Sequence, residues 1–185
     1  MSDHVMWIVD LDSSLEDAET FAAQVKEWLV KKEIVSSAAC STAAYDGRTL
    51  LLPGACAFAP EWATFDMQHP PAMHGFATVV ERKVFHTGGN GIQGIRCPRC
   101  SQRHDPEDVA WSDAAEAWYS QEGDDSVTCP TCAIQSKIID WQFLESDWAF
   151  GNLAFAFWNW PVSENIAQGI GSLLGHRCRL VHEHI

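Results

Sequence analysis

Basic residues are scarce in this chain. Lysine and arginine number 12 against 25 aspartates and glutamates in 185 residues, giving a formal net charge of −13 at pH 7. A surface of that sign repels polyphosphates, which disfavours nonspecific attraction to DNA, RNA or an anionic membrane and favours a basic protein as partner. Long apolar runs are missing as well. No stretch approaches the ~20 apolar residues that span a bilayer, and no basic N-terminal segment leads into an apolar run, so the expected location is the cytoplasm. There is no convincing internal repeat or low-complexity tract. The His-Glu-x-x-His helix, the P-loop and the Gly-x-Ser-x-Gly elbow are all absent, so the common hydrolase and nucleotide chemistries lack their signatures.

What the chain does contain is a matched pair of cysteine turns, Cys97-Pro98-Arg99-Cys100 and Cys129-Pro130-Thr131-Cys132. Two residues between cysteines let both sulfurs of a tight turn point at one ion, and a second such turn completes four tetrahedral ligands. One structural zinc ion on Cys97, Cys100, Cys129 and Cys132 is therefore expected. A site closed by four sulfurs leaves no position for substrate or activated water, so it holds chain segments together and performs no chemistry itself. Four thiolates and a divalent ion would take the net charge to about −15.

These turns resemble the zinc-ribbon and rubredoxin-like knuckle families over about residues 95–133 only. The resemblance implies metal at the four cysteines without selecting a role, because such modules include nucleic-acid binders, partner-binding modules and structural clips. Rubredoxin-like knuckles usually carry glycine after the second cysteine, whereas Ser101 and Ala133 stand there. Ligand softness and geometry favour zinc over iron. A thioredoxin-like dithiol is disfavoured by two such turns 28 residues apart without a βαβ context. The zinc-deaminase pattern fails because the chain has no His-x-Glu.

At 185 residues and 46% hydrophobic content the chain suits one folded domain with a small insertion. Alternation over residues 5–11 predicts a strand, and Ser13 with Glu16 predicts a capping box opening a helix that runs to Lys31 and Lys32. A hairpin is expected between Ile34 and Leu52 around Asp46-Gly47, then a long connection from Pro53 to Pro71, then a strand over 75–86. Asp105 to Ser120 reads as a helix inside the cysteine module. Ile139, Trp141 and Phe143 alternate as a strand, Leu153 to Trp160 form another, Ser163 caps a helix through Leu174, and residues 177–185 close as a strand. The expected fold is thus α+β: a mostly antiparallel sheet with two packed helices, β-α-β at both ends. Residues 1–94 and 134–185 form its halves, and a four-cysteine zinc-ribbon module at 95–133 is inserted between them.

Other features carry less. Gly89-Asn90-Gly91-Ile92-Gln93-Gly94 matches a dinucleotide-binding glycine pattern, but Cys97-Pro98 arrives where a helix must begin, so a hinge is the better reading. Cys40, Cys56 and Cys178 read as small core fillers. His182 and His184 share one side of the last strand, with His176 nearby, and could bind a metal or accept a proton; a solvated strand edge is the simpler account. Nine tryptophans are mostly core, yet aromatic groups ringed by carboxylates on the inserted helix suit a basic protein, which nominates Asp108, Trp111, Glu116, Trp118 and Tyr119 as partner contacts.

The expected function is therefore a non-catalytic, zinc-stabilised acidic protein that binds another protein, as an inhibitor or immunity-type neutraliser of a basic partner. Two alternatives stand beside it. One is an enzyme of unrecognised type with a structural zinc, using His69, His74 or Cys56. The other is a nucleic-acid-associated ribbon in which Arg96, Arg99 and Arg103 touch phosphate.

Overall fold

The structure is a computed structural model that describes residues 4–39, 49–51, 74–87 and 91–185. The turn expected at Asp46-Gly47, the connection from Pro53 to Pro71, and Cys40, Cys56, His69, Gly89 and Asn90 lie outside the described residues.

The chain is α+β, with antiparallel pairing throughout its sheets. In order, the elements are β1 (His4–Asp10), α1 (Leu15–Lys31), β2 (Val35–Ala39), β3 (Thr49–Leu51), β4 (Gly75–His86), β5 (Gly94–Arg96), β6 (Arg103–His104), α2 (Trp111–Ser120), β7 (Ser126–Thr128), β8 (Gln135–Lys137), β9 (Gln142–Leu144), β10 (Trp148–Trp158), α3 (Glu164–Leu174) and β11 (Cys178–His184). The main sheet runs β11-β1-β10-β4-β3-β2. Its first helix starts one residue later than the capping-box reading: Ser14 is the cap, accepting from the Asp17 amide, while Ser13 is buried and its hydroxyl donates to Asp10. The last helix begins and ends as its residues dictate, with Ser163 capping and Gly175 left-handed at φ 72°.

One face of the sheet meets both long helices. Ile8, Phe76, Leu153, Phe155 and Phe157 pack against Ala18, Ala22, Val25 and Leu29 of α1 and Ile166, Ala167 and Ile170 of α3. Period-two alternation sends the intervening side chains to the opposite face, where Val5, Trp7, Val9, Ala154, Ala156 and Val181 form a second core. That second core is closed by the sheet itself. The register of β10 against β4 shifts between Gly151 and Leu153, and β1 pairs only with residues 153–158 of β10. Ahead of Leu153, the ribbon of β10 and β4 folds over, so that Phe85 reaches Trp7 although β10 lies between their strands.

The far side of this ribbon carries the cysteine module. Val84, Trp148 and Phe150 join a third core with Ile95, Val109, Ala114, Trp118, Val127, Ile138, Trp141 and Phe143. Ile138, Trp141 and Phe143 lie past residue 133, and β9 pairs with β5, so the module's packing draws on residues beyond the cysteine turns. The single helix expected over 105–120 is divided. Pro106–Asp108 form a 3₁₀ turn, Val109 is extended at φ −130° and ψ 128°, and α2 starts at Trp111. Ile138–Asp140 likewise form a 3₁₀ turn, which shortens the strand expected through Ile139, Trp141 and Phe143 to Gln142–Leu144. No helix begins at the glycine pattern, since Gly94 opens β5 instead.

Polar clamps join module and sheet. Arg177 of β11's leading turn holds Asp12 bidentately and reaches Asp140 at 2.6 Å. Arg179 donates to the carbonyls of Trp141 and Trp148 at 3.2 and 2.8 Å. Arg82 donates to the Trp118 carbonyl at 2.6 Å and lies 3.9 Å over the same indole, so α2 is fixed to β4 by charge as well as packing.

Candidate metal centre

Two short hairpins build the site. β5 leads into Cys97 and β7 into Cys129, and each chain then reverses into the strand opposite, β6 or β8. The two turns have the same backbone bonding. Cys97 donates to the Gln102 carbonyl and accepts from the Ser101 amide, both at 3.0 Å, while Cys129 donates to Ile134 at 3.1 Å and accepts from Ala133 at 2.9 Å. Ser101 and Ala133, the residues standing where knuckles usually have glycine, both adopt the left-handed region at φ 61° and 58°. The backbone geometry of the knuckle is therefore present without the residue that adopts it most easily.

The turns bring their sulfurs together: all four Sγ atoms lie within 4.8 Å of one another. Cys97 and Cys132 are 3.9 Å apart, Cys100 and Cys129 3.7 Å apart. Four sulfurs at about 2.3 Å from a tetrahedral ion stand about 3.8 Å from each other, so the spacing fits a metal ion held by thiolates. Cys97 and Cys129 are buried against the module's core, Cys132 is half-buried and Cys100 is exposed, so the cluster sits at the rim of that core.

The surroundings act unequally on the sulfurs, favouring the thiolate at Cys129 and opposing it at Cys100 and Cys132. The Arg99 amide donates to the Cys97 sulfur at 3.3 Å, and the amides of Gln102, Thr131 and Ile134 favour the thiolate at Cys100, Cys129 and Cys132. Burial works against ionisation at Cys129, but the amides of Cys132 and Thr131 with the neighbouring thiols outweigh it, drawing that thiol down to about 6. The opposite holds for Cys100, where the Gln102 amide favours the thiolate yet burial and the three other sulfurs push the thiol up to about 11. Cys129 thus ionises ahead of Cys100 and Cys132, and a divalent cation removes the repulsion that resists the later deprotonations. His104 on β6 places Nε2 3.3 Å from Cys129 Sγ, a second support for that sulfur which no sequence spacing announced.

The nominated partner contacts divide. Asp108, Glu116 and Tyr119 are exposed, Tyr119 at 55%. Trp118 is not available to a partner: at 5% exposure it stands edge-on to Phe150 beneath Arg82. Trp111 is half-buried, edge-on to Phe143 and Trp148. Helical periodicity explains the split, since Ala114 and Trp118 share the face turned to the module's core while Glu116 and Tyr119 look outward.

Elsewhere, His176 does not join His182 and His184. Its Nδ1 lies 2.8 Å from Oδ2 of the fully buried Asp10, which also accepts from the amides of Asp12 and Ser13. An open cavity of about 470 Å³ is lined by His176 together with Glu164, Gln168, Ser172 and Cys178. A carboxylate-oriented histidine beside a cavity has the outline of a catalytic pair, but among the described residues the nearby Ser13 and Cys178 are not activated as nucleophiles. Ser13 donates to Asp10, and burial together with the Asp10 and Asp12 carboxylates pushes the Cys178 thiol up to about 12. His74, the described member of the enzyme reading, is stacked on Trp160 at 5.0 Å between centroids.

Among the described residues no helix is long and apolar enough to cross a membrane. Compared with protein-family models, curated proteins and solved structures, the chain matches none.

Proposed function

We propose that this chain is a non-catalytic, zinc-stabilised protein that binds a basic protein partner through the acidic outer face of its module, in the manner of an inhibitor or neutraliser. The observation that carries the reading is the four-sulfur cluster beside a segment, residues 107–122, whose outward carboxylates are unpaired. Among the described residues, Glu107, Asp108, Asp113, Glu116 and Glu122 are exposed and none is ion-paired. Unpaired like charges on one fixed face repel one another and are relieved by a cationic partner, which also gains on-rate from the long-range field. Four thiolates at tetrahedral spacing suit zinc, a closed-shell ion with no geometric preference of its own, and zinc is the ion this reading assigns to them.

The arginines that a nucleic-acid ribbon would use are engaged within the chain, which favours the protein partner. Arg96 donates to Gln142 at 3.3 Å, Arg99 to Ser136 at 3.3 Å, and Arg103 to the Gln93 carbonyl at 2.9 Å and to Glu145 at 3.3 Å.

The test is capture from native lysate by metal-loaded protein, alongside an Asp113→Lys/Glu116→Lys variant and a duplex DNA at matched salt. A basic protein retained at low salt, released at high salt and lost with the charge-reversed variant supports the reading. Equal capture by both forms, or preferential retention of the duplex, overturns it.

A further inference from the structure

The edge strand β11 lies antiparallel to β1 with His184 opposite His4 and His182 opposite Met6. Side chains two apart on a strand share a face, and directly opposed residues share it too, so His4, His182 and His184 stand together at one end of the two strands. The contacts bear this out. The Nδ1 of His4 is 3.2 Å from the Nε2 of His182, and the His4 ring stacks on His184 at 4.5 Å and on His182 at 5.3 Å between centroids.

The position of His4 is fixed by its backbone. Its amide donates to the Asn159 side-chain oxygen at 2.8 Å and its carbonyl accepts from the Asn159 amide at 2.8 Å. His184 is exposed at the strand end, where its ring turns at little cost. Glu183 points to the other face and accepts from the Trp7 indole at 2.7 Å. The cluster is therefore a set of imidazole donors without a carboxylate of its own strand among them, and the nearest acid is Asp147, whose Oδ2 accepts from the His182 amide at 3.4 Å.

We propose that His4, His182 and His184 form a second metal site at the open edge of the main sheet, taking a borderline divalent transition ion such as Zn²⁺, Ni²⁺ or Cu²⁺ through imidazole nitrogens. Two imidazoles on one tetrahedral zinc, each at about 2.0–2.1 Å, hold their nitrogens about 3.3 Å apart, close to the separation between His4 and His182. In the structure these two nitrogens face each other as a hydrogen bond and the three rings do not converge on one point. Binding therefore requires rotation about the side-chain torsions to aim both lone pairs at the ion, with the exposed His184 turning in as third ligand. The site differs in kind from the cysteine cluster. Its donors are harder than thiolate, it is open to solvent, and three protein ligands leave a coordination position for water or for a group from another molecule. It also competes with protons, since an imidazole must be neutral to bind, so occupancy falls as the solution becomes acidic.

The experiment uses untagged protein with its cysteine site already loaded, titrated with Cu²⁺ or Ni²⁺ against a chromophoric chelator at pH 7.5. The expected result is one further equivalent, weakened at least tenfold in His182→Asn/His184→Asn while the cysteine-bound ion is retained. The Cu²⁺ form of the unaltered protein should show electron-spin-resonance couplings from at least two imidazole nitrogens. Copper and nickel should also broaden the ring-proton resonances of these three histidines ahead of the others. Unchanged affinity in the double variant overturns the proposal. So does a copper spectrum without imidazole coupling, or broadening centred on other residues, and these readouts need no variant to fold.

Discussion

The Sγ atoms of Cys97 and Cys132 lie 3.9 Å apart although the residues stand 35 positions apart in sequence. The short strands that carry them, Gly94–Arg96 and Ser126–Thr128, belong to separate small sheets, so the contact between the two turns rests on a small apolar core and on whatever the sulfurs bind. Chelation at neutral pH is therefore expected to release about one thiolate-bound ion and to loosen residues 95–143, while the main sheet, with cores of its own, stays folded. Amide exchange measures this. Fast exchange through β5, α2 and β7 with β1 and β10 still protected is the expected pattern; unchanged protection at β5 and β7 would show that the sulfurs are not what joins the turns.

Ser101 and Ala133 sit left-handed on exposed knuckle turns. A left-handed residue with a Cβ costs roughly 1–2 kcal/mol, and replacing it by glycine returns that cost less the extra freedom glycine has when unfolded. Ser101→Gly and Ala133→Gly should each stabilise the metal-loaded protein by about 0.5–1 kcal/mol. Ser112→Gly, in the exposed first turn of α2, should destabilise it by up to about 1 kcal/mol. Denaturant midpoints of the three variants decide the matter, and a loss at both knuckle positions would sink it.

The pH dependence has two windows. His182 is held below the usual histidine value of 6.5, first by burial and then by His4, with Asp147 pulling the other way and His184 adding the smallest push. The unfolded chain takes up this proton more readily than the folded one, so the contribution is complete above about pH 6.5 and is lost as the pH falls below it. Asp12 is depressed below 3.8 chiefly by its hydrogen bonds from Arg177. Its contribution is complete above that value and is lost only in stronger acid. Urea midpoints of native protein and His182→Asn at matched metal loading should diverge at pH 7.5 and draw together as the pH falls below about 6.5. Parallel curves across the range would remove His182 as the source.

Much of this architecture is legible in the residues because local chemistry and tertiary packing agree. Apolar spacing along α1, the Ser163 cap with Gly175, and the paired cysteine turns all act within a few residues, and each appears where its pattern puts it. What the chain conceals depends on partners distant in sequence. His4 meets His182 only through strand pairing, His176 turns to Asp10 across 166 positions, and Trp118 is drawn inward by Arg82 and Phe150. Asp10, read as one more strand position, becomes a buried carboxylate because the adjoining turn and His176 supply its donors.

The fold-over of the β10 and β4 ribbon rests on a residue with no side chain. A Cβ on Gly151 would stand 2.5 Å from a methyl of Val9 and 2.7 Å from the carbonyl oxygen of Asp10. The second of these is backbone, which a rotamer change cannot clear, so Gly151→Ala must push the ribbon away from β1. Overpacking of this kind costs about 1–3 kcal/mol, or roughly 2–4 °C of melting temperature per kcal/mol for a chain of this size. The strain falls on Trp7 and Phe85, whose rings are 5.1 Å apart only because the ribbon bends over the sheet, so near-ultraviolet dichroism should change along with the midpoint. Gly169→Ala provides the contrast. There the intruding atoms belong to the Trp28 ring at 2.8 Å, which can turn aside, and alanine adds helix propensity within α3. Gly169→Ala should therefore cost less than Gly151→Ala. A Gly151→Ala protein that melts with the native one, its aromatic dichroism unaltered, would mean that the close approach at this bend does not hold the ribbon in place.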